Sequence, residues 1–267
     1  MEISITLLKM STNILDGIVQ YYLMHDAGEL HMNKVIGNPI RIEFKNKILC
    51  IGCGKQTKKS FNQGYCYSCF LTLPQNDTCV YKPELCRAHL GISRDMKWSE
   101  NHCLINHYVY LAASSEIKVG VTRHTQIPNR WIDQGASSAI VIAQTPNRYL
   151  SGLIEVALKV QFTDKTNWQA MLKNKIMLNP DLNKAKQESQ NLVSGSLIEY
   201  FTEESEIYTW QYPVLSYPDK IKSVDLEKAQ YIEGKLIGIK GQYWIFESGN
   251  VINIRKYGGY RASLIFC

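Results

Sequence analysis

Cys50-Ile51-Gly52-Cys53 is followed, after twelve residues, by Cys66-Tyr67-Ser68-Cys69, and this pair of motifs organises the rest of the chain. Two cysteines separated by two residues wrap a tight turn that aims both sulfurs at one ion. Gly52 and Gly54 free the backbone to make that turn. Two such pairs supply four thiolates, the tetrahedral set that structural zinc prefers. Four protein ligands leave no open position, so Cys50, Cys53, Cys66 and Cys69 are expected to hold a structural Zn²⁺ in a zinc-ribbon-like insert. Buried thiols or a redox pair are the alternatives.

Working outward, Cys79, Cys86 and Cys103 complete a set of seven cysteines inside one 54-residue window, and only Cys267 lies elsewhere. Cys79, Cys86, His89 and Cys103 are the expected donors of a second zinc, although scattered Cys and His also occur as simple core residues. His102 and His107 read as surface or core histidines. Residues 50–104 carry little hydrophobic period and much Cys, Gly, Asn and Lys. Such a segment cannot build its own core and is expected to fold around metal.

Length and composition bound the remaining possibilities. The chain has 267 residues, 45% hydrophobic and 20% charged, which excludes disordered, collagen-like and coiled-coil classes. A chain this long suggests about two domains and needs no disulfides to bury a core. No apolar run reaches the ~18 residues of a membrane span, and Met1 to Leu8 lacks the features of a signal peptide. A soluble cytoplasmic protein without a membrane partner is the expectation, and in a reducing compartment clustered cysteines favour metal over disulfides.

Four segments follow. Residues 1–49 are β-rich: Gly17 to Met24 is apolar, and Ile40, Ile42 and Phe44 alternate with Arg41 and Glu43. Residues 50–104 form the metal-binding region. Residues 105–198 mix strands (Tyr108 to Ala112, Ile117 to Val121, Ala139 to Ala143) with helices. One helix is expected over Pro128 to Gln134, stopped by Gly135. A second is capped by Ser151, with Leu150, Leu153, Ile154, Ala157 and Leu158 on one face. A third carries Trp168, Met171, Leu172 and Ile176. Residues 199–267 return to β, at Leu236 to Ile239, Tyr243 to Phe246 and Val251 to Ile254. The fold class is α+β, a small mixed sheet with helices, and the 199–267 segment is expected to pack with 1–49 into one β domain with the middle of the chain inserted.

The charge is also local. Thirty Lys and Arg against 24 Asp and Glu give +6, a modest excess, but residues 41–97 alone carry ten basic and four acidic side chains. Lys55, Lys58 and Lys59 sit inside the first Cys motif beside Phe61, Tyr65 and Tyr67. Lysines that meet phosphates and aromatics that stack on bases suit a nucleic-acid-binding finger, and a solvated loop is the alternative.

The second informative constellation is Tyr108-Val-Tyr110-Leu-Ala, Lys118-Val-Gly120-Val-Thr122, Arg130 and Glu155. Two strands end near one helix carrying Arg130, and a later helix carries Glu155. A carboxylate can hold a divalent ion, Arg can neutralise a phosphate, and a Tyr hydroxyl can position water. Arg123 and Gln134 can line the same cleft, and Glu155 with Lys159 also makes an ordinary i,i+4 helix pair.

These residues resemble the GIY-YIG nuclease superfamily, in which a small mixed sheet with helices carries the site. Tyr110 matches the Tyr that ends its first motif, Gly120 the Gly that ends its second, Arg130 its helix Arg and Glu155 its metal-binding Glu. Tyr108 stands in place of the first Gly, and Lys118 in place of the second motif's Tyr, where it offers a cation to phosphate. The resemblance implies catalysis by Tyr110, Lys118, Arg130 and Glu155 with Mg²⁺ or Mn²⁺, and DNA or RNA as partner, contacted also by Arg123. Most of the chain further resembles an uncharacterised bacterial family, a domain of unknown function, through Lys58-Lys-Ser-Phe61, Arg130-Trp-Ile-Asp-Gln-Gly-Ala136, Ser151-Gly-Leu-Ile-Glu155, Asp164-Lys-Thr-Asn-Trp168 and Gly238-Ile-Lys-Gly-Gln-Tyr243. Three functions follow as expectations: a divalent-metal-dependent nuclease with structural zinc, a zinc-containing nucleic-acid-binding module without catalysis, or a protein-interaction module. A basic patch broken by acidic side chains marks the last.

Overall fold

The computed structural model describes residues 1–266, so Cys267 lies outside the described residues. The fold is mixed α+β with β-rich ends. The chain divides into two units. The first takes residues 1–71 and 172–174 and the C-terminal segment from Trp210, and the second takes Thr72–Met171 and Lys175–Thr209. Residues 50–104 are therefore shared between the units, with the break after Leu71.

The first unit is built on an eight-stranded sheet. Its centre is the Pro39–Leu49 strand, whose alternation puts Ile40, Ile42 and Phe44 into the core. Tyr231–Lys240 pairs with one edge of that strand and Tyr260–Phe266 with the other, both antiparallel. Glu2–Thr6 then pairs with Tyr260–Phe266, so the first and last described strands are neighbours. The Tyr243–Phe246 and Asn250–Asn253 strands extend the other side, and Trp244, Ile245 and Phe246 are fully buried. A separate three-stranded sheet is formed by Ser11–Leu15, Ile18–His25 and Gly28–His31.

The second unit holds a four-stranded antiparallel sheet. Its order is Ile207–Thr209, Ser138–Thr145, His107–Ala113, Ile117–Arg123. The His107 and Ser138 strands are buried along nearly their whole length, as central strands covered on both faces must be. Val109, Leu111 and Ala113 join Ile140 and Ile142 in a core closed by Ile154 and Leu158 of the Arg148–Leu158 helix and by Leu182 and Ala185 of the Leu182–Leu192 helix.

Two expected elements differ from those observed, and one helix was not expected. The Arg148–Leu158 helix is capped by Asn147, whose side chain accepts from the Leu150 N–H at 3.0 Å. Ser151 is inside that helix, buried, with its hydroxyl donating to the Arg148 carbonyl at 2.8 Å. Asn and Ser cap about equally well, so the deciding factor is the apolar face, which starts a turn earlier than Ser151 allows. The Trp168–Leu172 helix is a single short turn that stops before Ile176. The Leu182–Leu192 helix is mostly polar, with Leu182, Ala185 and Ser189 alone forming its narrow buried stripe together with the stem of Lys186.

The sheet argument predicts that Ile42→Ala, in a fully buried position of the central strand, costs about 2–5 kcal/mol. Urea unfolding measures it; a loss below about 1 kcal/mol would mean that the strand is not central.

Candidate metal centres and buried charge cluster

The first Cys cluster lies at the end of the Pro39–Leu49 strand. Cys50 is buried there, and Gly54 turns the chain with φ at +73° and its N–H on the Cys50 carbonyl at 2.8 Å. The Cys66 N–H donates to the Cys50 sulfur at 3.2 Å, and the Cys53 and Cys66 sulfurs are 3.9 Å apart. All four sulfurs of Cys50, Cys53, Cys66 and Cys69 lie within 4.8 Å of one another. Burial opposes ionisation of Cys50, but N–H groups of Cys66, Cys53 and Gly52 outweigh it and bring the thiol down to about 6. Cys69 is pushed up to about 12 by burial and by the neighbouring thiols. One thiolate formed thus makes the next harder to form, and a cation relieves that repulsion. The four-sulfur set fits a tetrahedral metal.

The second cluster belongs to the second unit. Cys79, Cys86 and Cys103 are all buried, and their sulfurs lie within 4.8 Å of one another. Hydrogen bonds from Cys79 and Cys86 pull Cys103 down to about 2, with Arg148 assisting against burial. Cys79 and Cys86 are pushed up by the same sharing. His89, expected as the fourth donor, is not in this group; its ring stacks on Tyr149 with centroids 4.4 Å apart, at the edge of a cavity that the three cysteines also line. Both Cys clusters can therefore hold a metal ion, the second with three protein sulfurs. His102 stacks on Trp98 at 4.0 Å, and His107 is buried and held down to about 4 by burial and by Arg148.

The second cluster is tied to the helix that carries Glu155. The Arg148 N–H donates to the Cys103 carbonyl at 2.8 Å, and the buried Arg148 guanidinium donates to the carbonyls of Cys79 and His102 at 3.3 and 2.9 Å. One turn on, Gly152 has no side chain; a Cβ there would lie 2.2 Å from the Glu84 nitrogen and 2.4 Å from the Pro83 carbonyl carbon. The Cys79–Cys86 loop packs into that gap.

Tyr110, Lys118, Arg130 and Glu155 are brought into one interacting set in the second unit. Tyr110 is fully buried and lies across its cross-strand partner Gly120, where a Cβ would meet the tyrosine oxygen at 2.5 Å. Its hydroxyl donates to Gln134 Oε1 at 3.1 Å. Burial pushes Tyr110 up, against Arg130, which is within hydrogen-bonding reach, while the charge of Glu155 adds to the rise. Lys118 is buried and donates to Thr166 Oγ1 at 2.7 Å, and burial and then Arg130 bring its amine down to about 7. Glu155 is 8% exposed and pairs with Lys159 at 3.3 Å, which also pairs with Asp164 at 3.2 Å. Burial raises Glu155, Lys159 opposes it, and Asp164 and Glu84 add to the rise.

The expected nucleic-acid contacts are separate from this set. Lys55, Lys58 and Lys59 are exposed in the first unit. Lys58 and Lys59 line a cavity with Lys256, but Asp225 and Glu227 line it too. Arg123 is in the second unit, half-buried, and lowered by burial and by Arg148. Sequence reading missed Thr166, Arg148 and Glu84 as site residues: Arg148 and Glu84 fall in no quoted stretch, Thr166 lies in the Asp164–Trp168 stretch without an assigned role, and each acts through a contact made only in the fold.

A family model described as a protein of unknown function, DUF2797, matches residues 37–262. The chain belongs to that family. Every residue discussed above from Cys50 to Lys256 falls within the DUF2797 match. No curated protein and no solved structure gives a match. Among the described residues, no helix is long and apolar enough to cross a membrane.

For this DUF2797 chain two predictions follow from the geometry. Metal analysis of protein purified without chelator should give two ions per chain, one for each Cys cluster. Because thiolates must form, acid should expel them; a content of one ion or fewer per chain would remove the second centre. Gly152→Ala should cost at least about 1–3 kcal/mol, because backbone blocks the new methyl group. Thermal unfolding that leaves the variant unchanged would show that the Cys79–Cys86 loop does not pack there.

Proposed function

We propose that the chain is a divalent-metal-dependent nuclease of GIY-YIG type that cleaves phosphodiester bonds in DNA or RNA, with Zn²⁺ at the Cys clusters in a structural role. The single observation that carries the reading is the chain of influence among four residues distant in sequence, three of them buried polar groups: Arg130 acts on both Tyr110 and Lys118, and Glu155 acts on Tyr110. Perturbed titratable groups that converge in this way mark functional sites more often than scaffolding.

Each residue has a distinct part. Glu155 is the carboxylate suited to Mg²⁺ or Mn²⁺, and such an ion, once bound, polarises a phosphate oxygen. Arg130 neutralises charge that builds on the phosphate. Tyr110 stays un-ionised, and since its proton points to Gln134, its lone pairs are left to hold Arg130 or a water. Lys118, in place of a tyrosine, is the general base. An ammonium of ordinary pKa cannot accept a proton at neutral pH, but an amine lowered to about 7 is half neutral there and can take one from an attacking water.

The test is direct. Purified protein with Mg²⁺ or Mn²⁺ is offered single- and double-stranded DNA and RNA, and at least one substrate should be cut. Glu155→Gln should slow cutting by about a hundredfold or more. The rate should rise with pH through about 7 as Lys118 loses its proton. Lys118→Met should abolish that rise. Intact substrates under every condition would overturn the proposal.

A second reading, a non-catalytic protein-interaction module, draws on one observation. Lys58 and Lys59 share their cavity with Asp225 and Glu227, so this basic patch is interrupted by acidic side chains, as suits a protein partner. Under this reading Lys58→Ala with Lys59→Ala leaves nucleic-acid affinity unchanged at every salt concentration, whereas a phosphate-binding patch loses both affinity and salt slope.

A further inference from the structure

We infer that a metal ion on Cys79, Cys86 and Cys103 keeps one coordination position open to the cavity beside it, and that this position takes the thiolate of a small thiol compound. The inference stands apart from the nuclease reading. It gives the second Cys centre a ligand-binding role beside its structural one.

The two Cys clusters differ in kind. Cys50, Cys53, Cys66 and Cys69 bring four sulfurs within 4.8 Å of one another, a complete tetrahedral set. The second cluster brings three, and among the described residues no further Cys, His, Asp or Glu joins that close group. A closed shell of four protein ligands belongs to structural zinc, whereas three protein ligands and one exchangeable position belong to zinc that meets a substrate or water. His89 is the nearest candidate to close the shell by sequence, but its ring is held elsewhere, stacked on Tyr149 at 4.4 Å between centroids and 21° between planes.

The surroundings provide an entry. Cys79, Cys86 and Cys103 all line one cavity of about 720 Å³, inside the range of roughly 300–1,000 Å³ common to small-molecule sites. Leu85, Leu90 and Ile92 line the same cavity, and they are 52%, 64% and 48% exposed, while Cys86 and Cys103 are 3% and 1% exposed. The cavity therefore runs from solvent down to the sulfurs. The frame around the sulfurs is built without a fourth protein ligand. The Arg148 guanidinium donates to the carbonyls of Cys79 and His102, and the Arg148 N–H donates to the Cys103 carbonyl.

The donor set selects the class of ligand. Three sulfurs make a soft centre, and a soft donor matches it better than an oxygen or nitrogen donor. A thiolate gives the second cluster the four-sulfur shell that the first completes from its own residues. On binding, the thiol proton goes to solvent, the sulfur electron pair forms the bond to the metal, and a water leaves that position. Leu85, Leu90 and Ile92 supply apolar surface for the carbon body of the ligand.

The test is titration of the full Co²⁺-loaded chain with 2-mercaptoethanol, read by the sulfur-to-cobalt and visible absorption bands. Wild type should show a saturable rise corresponding to one thiol per chain, with its cobalt retained after gel filtration. Imidazole, a nitrogen donor, should bind about tenfold more weakly or worse. His89→Ala should match wild type within about twofold, because His89 is not a ligand of the open centre. Cys103→Ser should lose the response while the first cluster keeps its cobalt. Absence of any saturable change in wild type, or release of its cobalt by the thiol, would overturn the inference whether or not the variants fold. A response that appears only in His89→Ala would show that His89 closes the shell and would overturn the open position. A response that persists in Cys103→Ser would place the thiol elsewhere and overturn it as well. Imidazole binding as tight as the thiol would overturn the thiolate assignment.

Discussion

The packing of the Pro83–Glu84 backbone onto Gly152 is the contact on which the candidate site depends. It allows the Cys79–Cys86 loop, whose buried Cys79 and Cys86 join Ala88 and Cys103 in a small core, to lie directly on a helix. The same helix sends Ile154 and Leu158 into the core of the second unit and presents Glu155 beside them. Any side chain at position 152 would separate loop from helix and move the Cys79 and Cys86 sulfurs away from Cys103. The close approach of loop to helix is thus the consequence of one missing Cβ.

A second close approach repeats the device in the sheet. Tyr110 lies flat across Gly120 on the neighbouring strand, which buries a phenol without a cavity and holds it near Arg130. Around it the unit accepts costly choices: Lys118 buried with a Thr166 hydroxyl as partner, and Glu155 buried with a partly exposed Lys159. Apolar residues would fill these positions at lower cost. Buried charge of this kind marks a candidate functional site.

Much of the fold was legible. Alternation in Ile40, Ile42 and Phe44 marks the central strand because one face of it must be dry, and the Tyr108 and Ile117 runs mark a hairpin for the same reason. The doubled Cys motif announced the first cluster because the tight turn demands its spacing. The polar Leu182–Leu192 helix was not legible, since its buried stripe is only a few residues wide and its Asn, Gln and Lys content reads as loop. His89 was expected beside three cysteines from proximity in sequence; its ring stacks on Tyr149 and lines the same cavity as the three sulfurs, outside their close group. Lys118 was recognisable as a cation, but its lowered pKa was not legible, because it comes first from burial that no motif encodes. Glu84 carried no signal at all; its backbone meets the helix only because residue 152 is glycine.

Within the second unit, three sulfurs able to hold a metal ion lie beside the helix that bears Glu155, joined to it by the Arg148 hydrogen bonds to the carbonyls of Cys79, His102 and Cys103. The most direct measurement is the anomalous diffraction of crystals of the zinc-loaded protein soaked in Mn²⁺, recorded at the absorption edges of both metals. The account predicts zinc at the two Cys clusters and a manganese peak at coordination distance from Glu155. Zinc at the Cys clusters with no manganese beside Glu155 would contradict it.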